Sequence, residues 1–265
     1  MLEIRPILRI WDMLGRTSRH GTRLRFRSKE PRIAILCTEK GAQLKARARK
    51  LASEIGFPLV EVSDGFDLIL AVTASRIELH QIGDRAPGPI AVDFTSGPLA
   101  RRIKQGYRAQ ALARAVGISR GIRSVFDATA GLGNDAFLFS SWGCQVVACE
   151  RSAILNMLFR DGCERARKES ADLAAIIKRI TPICADSKLV LQDLPDGIER
   201  PEVVYLDPML GEGKKSAKVK KQMQFLRWLF GQAIDEKSLL EIALRVASKR
   251  VVVKRPFSVA PITPN

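Results

Sequence analysis

The chain has 265 residues, 46% hydrophobic and 27% charged, and 44 Lys plus Arg against 28 Asp plus Glu give it a net charge of +16. That length suits one large α/β domain or one domain with a small appendage, and no apolar run approaches the ~20 residues of a membrane span. The charge excess attracts a polyanion, with nucleic acid the usual partner and a membrane surface the weaker one, while five scattered cysteines without CxxC spacing suggest neither zinc nor a disulfide framework and fit a reducing cytoplasm.

Residues 1–32 hold nine basic side chains against Glu3, Asp12 and Glu30, lack a clean period, and read as a basic, flexible extension. From residue 33 the pattern becomes regular. Residues 33–37 suit a strand, 43–55 a helix and 59–62 a strand, and the runs 67–72 and 76–82 around Thr73-Ala74-Ser75 suit a hairpin. These predict a small α+β module over 33–95, with His80 on an alternating strand as a structural or surface residue. Pro87-Gly88-Pro89 marks a boundary. Residues 99–117 read as a basic connector carrying Arg101, Arg102, Lys104 and Arg108, followed by a helix at 109–116. The remainder alternates. Strands are expected at 123–127, 145–149, 180–184, 202–206 and 249–253, and helices at 134–141, 153–168, 171–178, 216–230 and 236–247. Such alternation implies a mostly parallel sheet covered on both faces, in a domain over 96–265.

The stretch that organises the rest is Val125-Phe126-Asp127-Ala128-Thr129-Ala130-Gly131-Leu132-Gly133-Asn134-Asp135-Ala136. It reads as a buried strand, a glycine turn and a helix start. Gly131 and Gly133 let a nucleotide-like ligand approach the backbone and permit positive φ. The next apolar run, Gln145-Val146-Val147-Ala148-Cys149-Glu150, ends in an acid placed to accept both hydroxyls of a ribose. Gly131-x-Gly133-x-x-Ala136 also satisfies the dinucleotide fingerprint. Asp127, at the end of the first strand, instead favours a cationic cofactor such as S-adenosylmethionine over a pyrophosphate, which it would repel.

The second chemical feature is Val203-Val204-Tyr205-Leu206-Asp207-Pro208, an apolar strand ending in Asp-Pro at the edge where open α/β sheets place ligands. Acceptors from Asp207 and the Pro208 carbonyl could hold both N–H groups of an exocyclic base amine and aim its lone pair at a methyl sulfonium. Past this turn, Lys214, Lys215, Lys218, Lys220 and Lys221 open the expected helix at 216–230. Lys214, Lys218 and Lys221 fall on one side, as a phosphate-contacting lip or equally as a solvated face.

Several motifs in order carry a family resemblance: Asp127-Ala-Thr-Ala-Gly-Leu-Gly-Asn-Asp135, Glu150-Arg151, Val203-Val-Tyr-Leu-Asp-Pro-Met209, Lys215-Ser216-Ala217 and Arg250-Val-Val-Val-Lys-Arg-Pro256. Over about residues 33–257 the chain resembles the RsmJ family, class I methyltransferases that transfer a methyl group from S-adenosylmethionine to N2 of a guanosine in small-subunit (16S) ribosomal RNA. The resemblance implies a Rossmann-like α/β sheet with core strand order 3-2-1-4-5. It also implies cofactor contacts at Asn134, Asp135, Glu150, Arg151, Asp186, Ser187 and Asp207, with ribosomal RNA or the 30S particle as partner, and neither metal nor membrane. The chain has Leu210 where the family commonly has Phe, and it stops at Asn265 where relatives continue into a final strand or hairpin, so the sheet is expected to lack its C-terminal strands. RNA contacts are expected at Arg101, Arg102, Lys214, Lys215, Lys218 and Lys221.

Two other readings stay open. The same glycine turn serves a nicotinamide-dependent oxidoreductase. Leu210 and the early stop suit a non-catalytic RNA-binding or ribosome-assembly protein built on a methyltransferase fold.

Overall fold

The computed structural model describes residues 31–84, 86–208, 235–255 and 262. The expected extension up to residue 30, the helix at 216–230 and Lys214, Lys215, Lys218 and Lys221 lie outside the described residues. The chain divides into two compact units after Pro89.

The first unit contains β1 (Ile33–Cys37), α1 (Ala42–Ile55), β2 (Leu59–Val60), β3 (Leu68–Val72) and β4 (Ile77–Gln81), with sheet order β2-β1-β3-β4. β1 runs parallel to β2 and β3, while β3 and β4 form the expected antiparallel hairpin. Every residue of β3 is buried, which explains its unbroken apolar run. The hydroxyl oxygen of Thr73 accepts from the amides of Ser75 and Arg76 and closes the hairpin turn. His80 Nε2 lies 2.8 Å from Glu78 Oε2, and Arg76 Nε donates to the other oxygen of the same carboxylate at 2.7 Å.

The second unit begins with α2 (Gly97–Lys104) and α3 (Ala111–Val116). The basic connector is therefore itself helical. Arg101, Arg102 and Lys104 stand in the last turn of α2, where the helix dipole favours cations. Then follow β5 (Ser124–Asp127), α4 (Asn134–Ser141), β6 (Gln145–Glu150), α5 (Ala153–Glu169), α6 (Ala171–Ile177), β7 (Ile180–Cys184), α7 (Ser187–Gln192), β8 (Val203–Leu206), α8 (Glu236–Val246) and β9 (Arg250–Val253). The five strands are all parallel in the order β7-β6-β5-β8-β9, which is the expected 3-2-1-4-5. α7 is an addition to the expected elements, a helix of six residues too short to show a period.

Strand periodicity places the core. Phe126, Val204 and Leu206 pack with Leu239, Ile242 and Ala243 of α8 and with Val190 and Leu191 of α7. Tyr205, one residue out of phase, meets Phe139 of α4 edge to face at 5.0 Å. Residues 90–94 pack within this unit. The Phe94 ring stacks on Phe137 at 4.3 Å, and Arg165 of α5 donates to the Val92 carbonyl. A Cβ on Gly162, in the middle of α5, would lie 2.4 Å from Val92 Cγ1, so this helical glycine lets the 92–94 segment lie against the helix. Among the described residues no helix is long and apolar enough to cross a membrane, and no group of three or more His, Cys, Asp or Glu could hold a metal. All five cysteines are unbridged; burial raises the thiols of Cys144 and Cys163 to about 11 and about 12 and lifts Cys149 further.

Candidate active site at the carboxyl edge of the sheet

Because all five strands of the second sheet run parallel, their carboxyl ends lie along one edge. Asp127 ends β5, Glu150 ends β6, Asp186 follows β7, Asp207 and Pro208 follow β8, and Lys254 follows β9. β5 and β8 are neighbours, with Asp127 in register with Tyr205, so the glycine turn and the Asp-Pro turn leave the sheet side by side. Hydrogen bonds join them directly. Ala128 N–H donates to the Tyr205 carbonyl at 2.9 Å, and Asp207 N–H donates to the Thr129 hydroxyl oxygen at 2.6 Å. On the other side, Ala130 N–H donates to the Cys149 carbonyl at 3.0 Å and Gly131 N–H to Glu150 Oε2 at 2.9 Å. The turn is thus tied to both strands that flank β5.

The two glycines have different reasons. Both have positive φ, 55° at Gly131 and 78° at Gly133. A Cβ on Gly131 would meet nothing closer than the Thr129 carbonyl at 4.0 Å, so the fold leaves the space beside it open. A Cβ on Gly133 would sit 2.1 Å from the fully buried Phe159 ring of α5. Gly133 therefore serves helix packing, where the sequence suggested ligand approach for both.

Four carboxylates converge here. Asp127 is buried, and its pKa stands well above the usual carboxylate range. Burial is the main cause, Asp135 adds to it, the Thr129 amide opposes it, and Asp207 and Glu150 raise it further. Glu150 is also raised by burial, against the opposing amides of Ser152 and Gly131, which donate to its two oxygens at 2.7 and 2.9 Å. The acid expected at a ribose therefore also fixes the glycine turn. Asp135, in the first turn of α4, receives the Tyr205 hydroxyl and Lys254 Nζ on Oδ2, both at 2.7 Å, and its Oδ1 is 3.7 Å from the Arg102 guanidinium. Burial, Asp135 and Asp207 push the Tyr205 phenol far up, so it remains a donor. Lys254 Nζ also donates to Asp207 Oδ2 at 2.6 Å.

The remaining expected residues are placed as follows. Asn134 opens α4 and is exposed, and Arg151 is exposed beside Glu150. Asp186 caps α7, accepting from Lys188 N–H at 2.9 Å, with Ser187 buried next to it. Pro208 is buried at the start of its turn. Arg101 is exposed on α2, whereas Arg102 is partly exposed and tied down, its Nε donating to Gln110 Oε1 at 2.9 Å. Residue-by-residue reading of the sequence missed Thr129, Tyr205 and Lys254. Lys254 had a signal: it stands one residue beyond a strand end, as Asp207 does, on the edge where such sheets place ligands.

A buried carboxylate such as Asp127, whose ionisation is opposed by burial and by neighbouring acids, attracts a cation and repels a pyrophosphate. The edge therefore suits a cationic ligand.

Comparison with known proteins gives the same direction. Residues 51–265 match the family model described as "Putative SAM-dependent methyltransferase". Ribosomal RNA small subunit methyltransferase J of Thioalkalivibrio sulfidiphilus is 44% identical over 83% of this chain and 86% of its own length. The protein of the same name from Pseudomonas fluorescens (strain Pf0-1) is 43% identical over 82% of each. Among solved structures, a SAM-dependent methyltransferase from Neisseria gonorrhoeae superposes with a TM-score of 0.60 at 31% identity, over 84% of both chains.

Proposed function

The chain belongs to the family of S-adenosylmethionine-dependent methyltransferases that includes ribosomal RNA small subunit methyltransferase J, and from that premise we propose that it methylates N2 of a guanosine in small-subunit ribosomal RNA. The cofactor fits the residues present, since the buried acids Asp127 and Glu150 call for a cationic partner and Gly131 leaves its side-chain space open. Gly131, Glu150 and Asp127 would hold it, with Asn134, Asp135, Arg151, Asp186 and Ser187 around them. When bound, it supplies a methyl group activated by a positively charged sulfur.

The work left to the chain is to make a poor nucleophile attack. The guanine amine delocalises its lone pair into the ring. Asp207 and the Pro208 carbonyl accept its N–H groups, localise that pair and point it at the methyl carbon. On taking up that methyl group the amine would have to lose one proton, which Asp207 would accept and pass to solvent. The observation that carries this reading is the 2.6 Å bond from Asp207 N–H to Thr129, which holds the acceptor-side turn against the donor-side turn. The net charge of +16 supports a polyanionic substrate, and Arg101 with Lys214, Lys215, Lys218 and Lys221 are its proposed phosphate contacts. Arg102, facing Asp135, joins the α2 helix to the site.

Labelled methyl transfer to small-subunit RNA and particles lacking the modification tests the proposal. The wild type should methylate guanosine N2, and Asp207→Ala should lower turnover by roughly 100- to 1000-fold, the usual effect of losing one charge-positioning group. Tight RNA binding without transfer by the wild type would leave only a binding protein, and calorimetric binding of NAD in place of S-adenosylhomocysteine would restore the oxidoreductase reading.

A further inference from the structure

Lys254 lies one residue past β9, and its own N–H donates to the Leu206 carbonyl at 2.8 Å, which extends the β8–β9 ladder and fixes its backbone beside Asp207. From there its ammonium reaches two carboxylates at once, Asp207 Oδ2 at 2.6 Å and Asp135 Oδ2 at 2.7 Å. The two acids belong to different parts of the site. Asp135 stands in the first turn of the helix after the glycine turn, and Asp207 follows the strand whose end is assigned to the amine. Asp135 is itself held by the Tyr205 hydroxyl, whose ring is fully buried against Phe139. A rigid element therefore anchors one end of the bridge, and the carboxylate assigned to the substrate forms the other.

A lone surface ion pair would contribute little, about 0–1 kcal/mol. Lys254 departs from that case in two ways. One of its partners, Asp135, is only 11% exposed, though Asp207 is 36% and Lys254 itself 50% exposed, and the strands that carry it are already joined by backbone hydrogen bonds. Holding β9 in place does not require it, and its contact with Asp207 Oδ2 bears instead on the orientation of that carboxylate. The bridge also keeps a cation between two carboxylates that would otherwise repel each other, with Asp127 and Glu150 nearby. Burial would lower the Lys254 pKa, but Asp135 and Asp207 outweigh it and raise it, so the ammonium stays charged.

Resting on the methyl-transfer reading, we propose that Lys254 is a positioning residue that anchors Asp207, through Asp135 and Tyr205, in the orientation that receives the substrate amine. It touches neither reacting atom. Its removal should therefore affect the chemical step and spare binding.

The test is steady-state methyl transfer to small-subunit RNA by the full chain, for wild type, Lys254→Met, Lys254→Arg, Asp207→Asn and the double variant Asp207→Asn/Lys254→Met, with calorimetry of S-adenosylhomocysteine on each. Lys254→Met should lower kcat roughly 10- to 100-fold, the cost of about 1 Å of misplacement, with KM and S-adenosylhomocysteine affinity little changed. Lys254→Arg, able to bridge two carboxylates, should recover most of the rate. In the Asp207→Asn background, Lys254→Met should cost almost nothing more, because the group it positions is already lost. Wild-type kcat in Lys254→Met, equal losses in the Met and Arg variants, additive losses in the double variant, or a parallel loss of cofactor affinity would each overturn the assignment while leaving the methyltransferase reading intact. A wild type that transfers no methyl to RNA would overturn both.

Discussion

Replacing Gly133 with Ala separates packing from ligand binding in the glycine turn. At φ 78°, an alanine pays roughly 1–2 kcal/mol for the left-handed conformation. Its Cβ would also overlap the Phe159 ring, 2.1 Å from Cε2 and 2.2 Å from Cδ2. That ring is fully buried and packs edge to face on Phe94 at 6.0 Å, so it cannot move aside freely. Relieving such an overlap costs typically about 1–3 kcal/mol. The sum, roughly 2–5 kcal/mol, is a large share of the ~5–15 kcal/mol that holds a typical domain together. Gly131→Ala is the control, with positive φ but no atom nearer than 4.0 Å, and should cost only the backbone strain, ~1–2 kcal/mol. Urea titrations at constant m-value and thermal melts should place Gly133→Ala well below Gly131→Ala, by roughly 5–10 °C. Binding of S-adenosylhomocysteine at a temperature where both are folded should show the reverse order, with Gly131→Ala the weaker binder. If the two variants melt together, or if Gly133→Ala loses affinity while keeping wild-type stability, the division of roles is wrong.

The raised pKa of Asp127 has a sign that can be checked. An acid whose folded pKa lies above its unfolded value costs stability once pH exceeds the unfolded value, so Asp127→Asn, which keeps an oxygen for the Thr129 amide, should raise the melting temperature of the ligand-free protein at neutral pH and weaken binding of the cationic cofactor. Differential scanning calorimetry with S-adenosylmethionine titrations measures both, and a variant less stable than wild type would refute the sign. Asp93 is the opposite case. Burial would raise its pKa, but the hydroxyls of Ser96 and Thr95 and their amides hold it at about 2, below the ordinary 3.8. Its contribution is present above the unfolded value and is lost as pH falls through about 2. Because Asp93 is exposed, solvent screening limits that contribution to about 1 kcal/mol or less. Asp93→Asn should therefore lower the melting temperature by a few degrees at neutral pH and leave it unchanged near pH 2; an equal loss at both pH values would locate the effect elsewhere.

The sequence by itself determined whatever depends on local pattern. Strand runs, helical periods, the hairpin, the glycine turn and the Asp-Pro end are each written in neighbouring residues, and alternation of strand and helix is enough to make the second sheet parallel with strand ends on one edge. Glu150 and Asp207 were legible for the same reason, as polar residues closing apolar runs. Only the tertiary structure decided what each group faces. Nothing local distinguishes Gly131 from Gly133 until the Phe159 ring of α5 is brought beside one of them, and nothing near Lys254 reveals that β9 carries it to Asp207, 47 positions earlier in the chain, and to Asp135, 119 earlier. Arg102 reads as a solvent-facing cation until Asp135 and Gln110 are placed against it. Such roles depend on contacts between segments distant in sequence, and those contacts are set by strand order and helix packing, which no single stretch of the chain encodes.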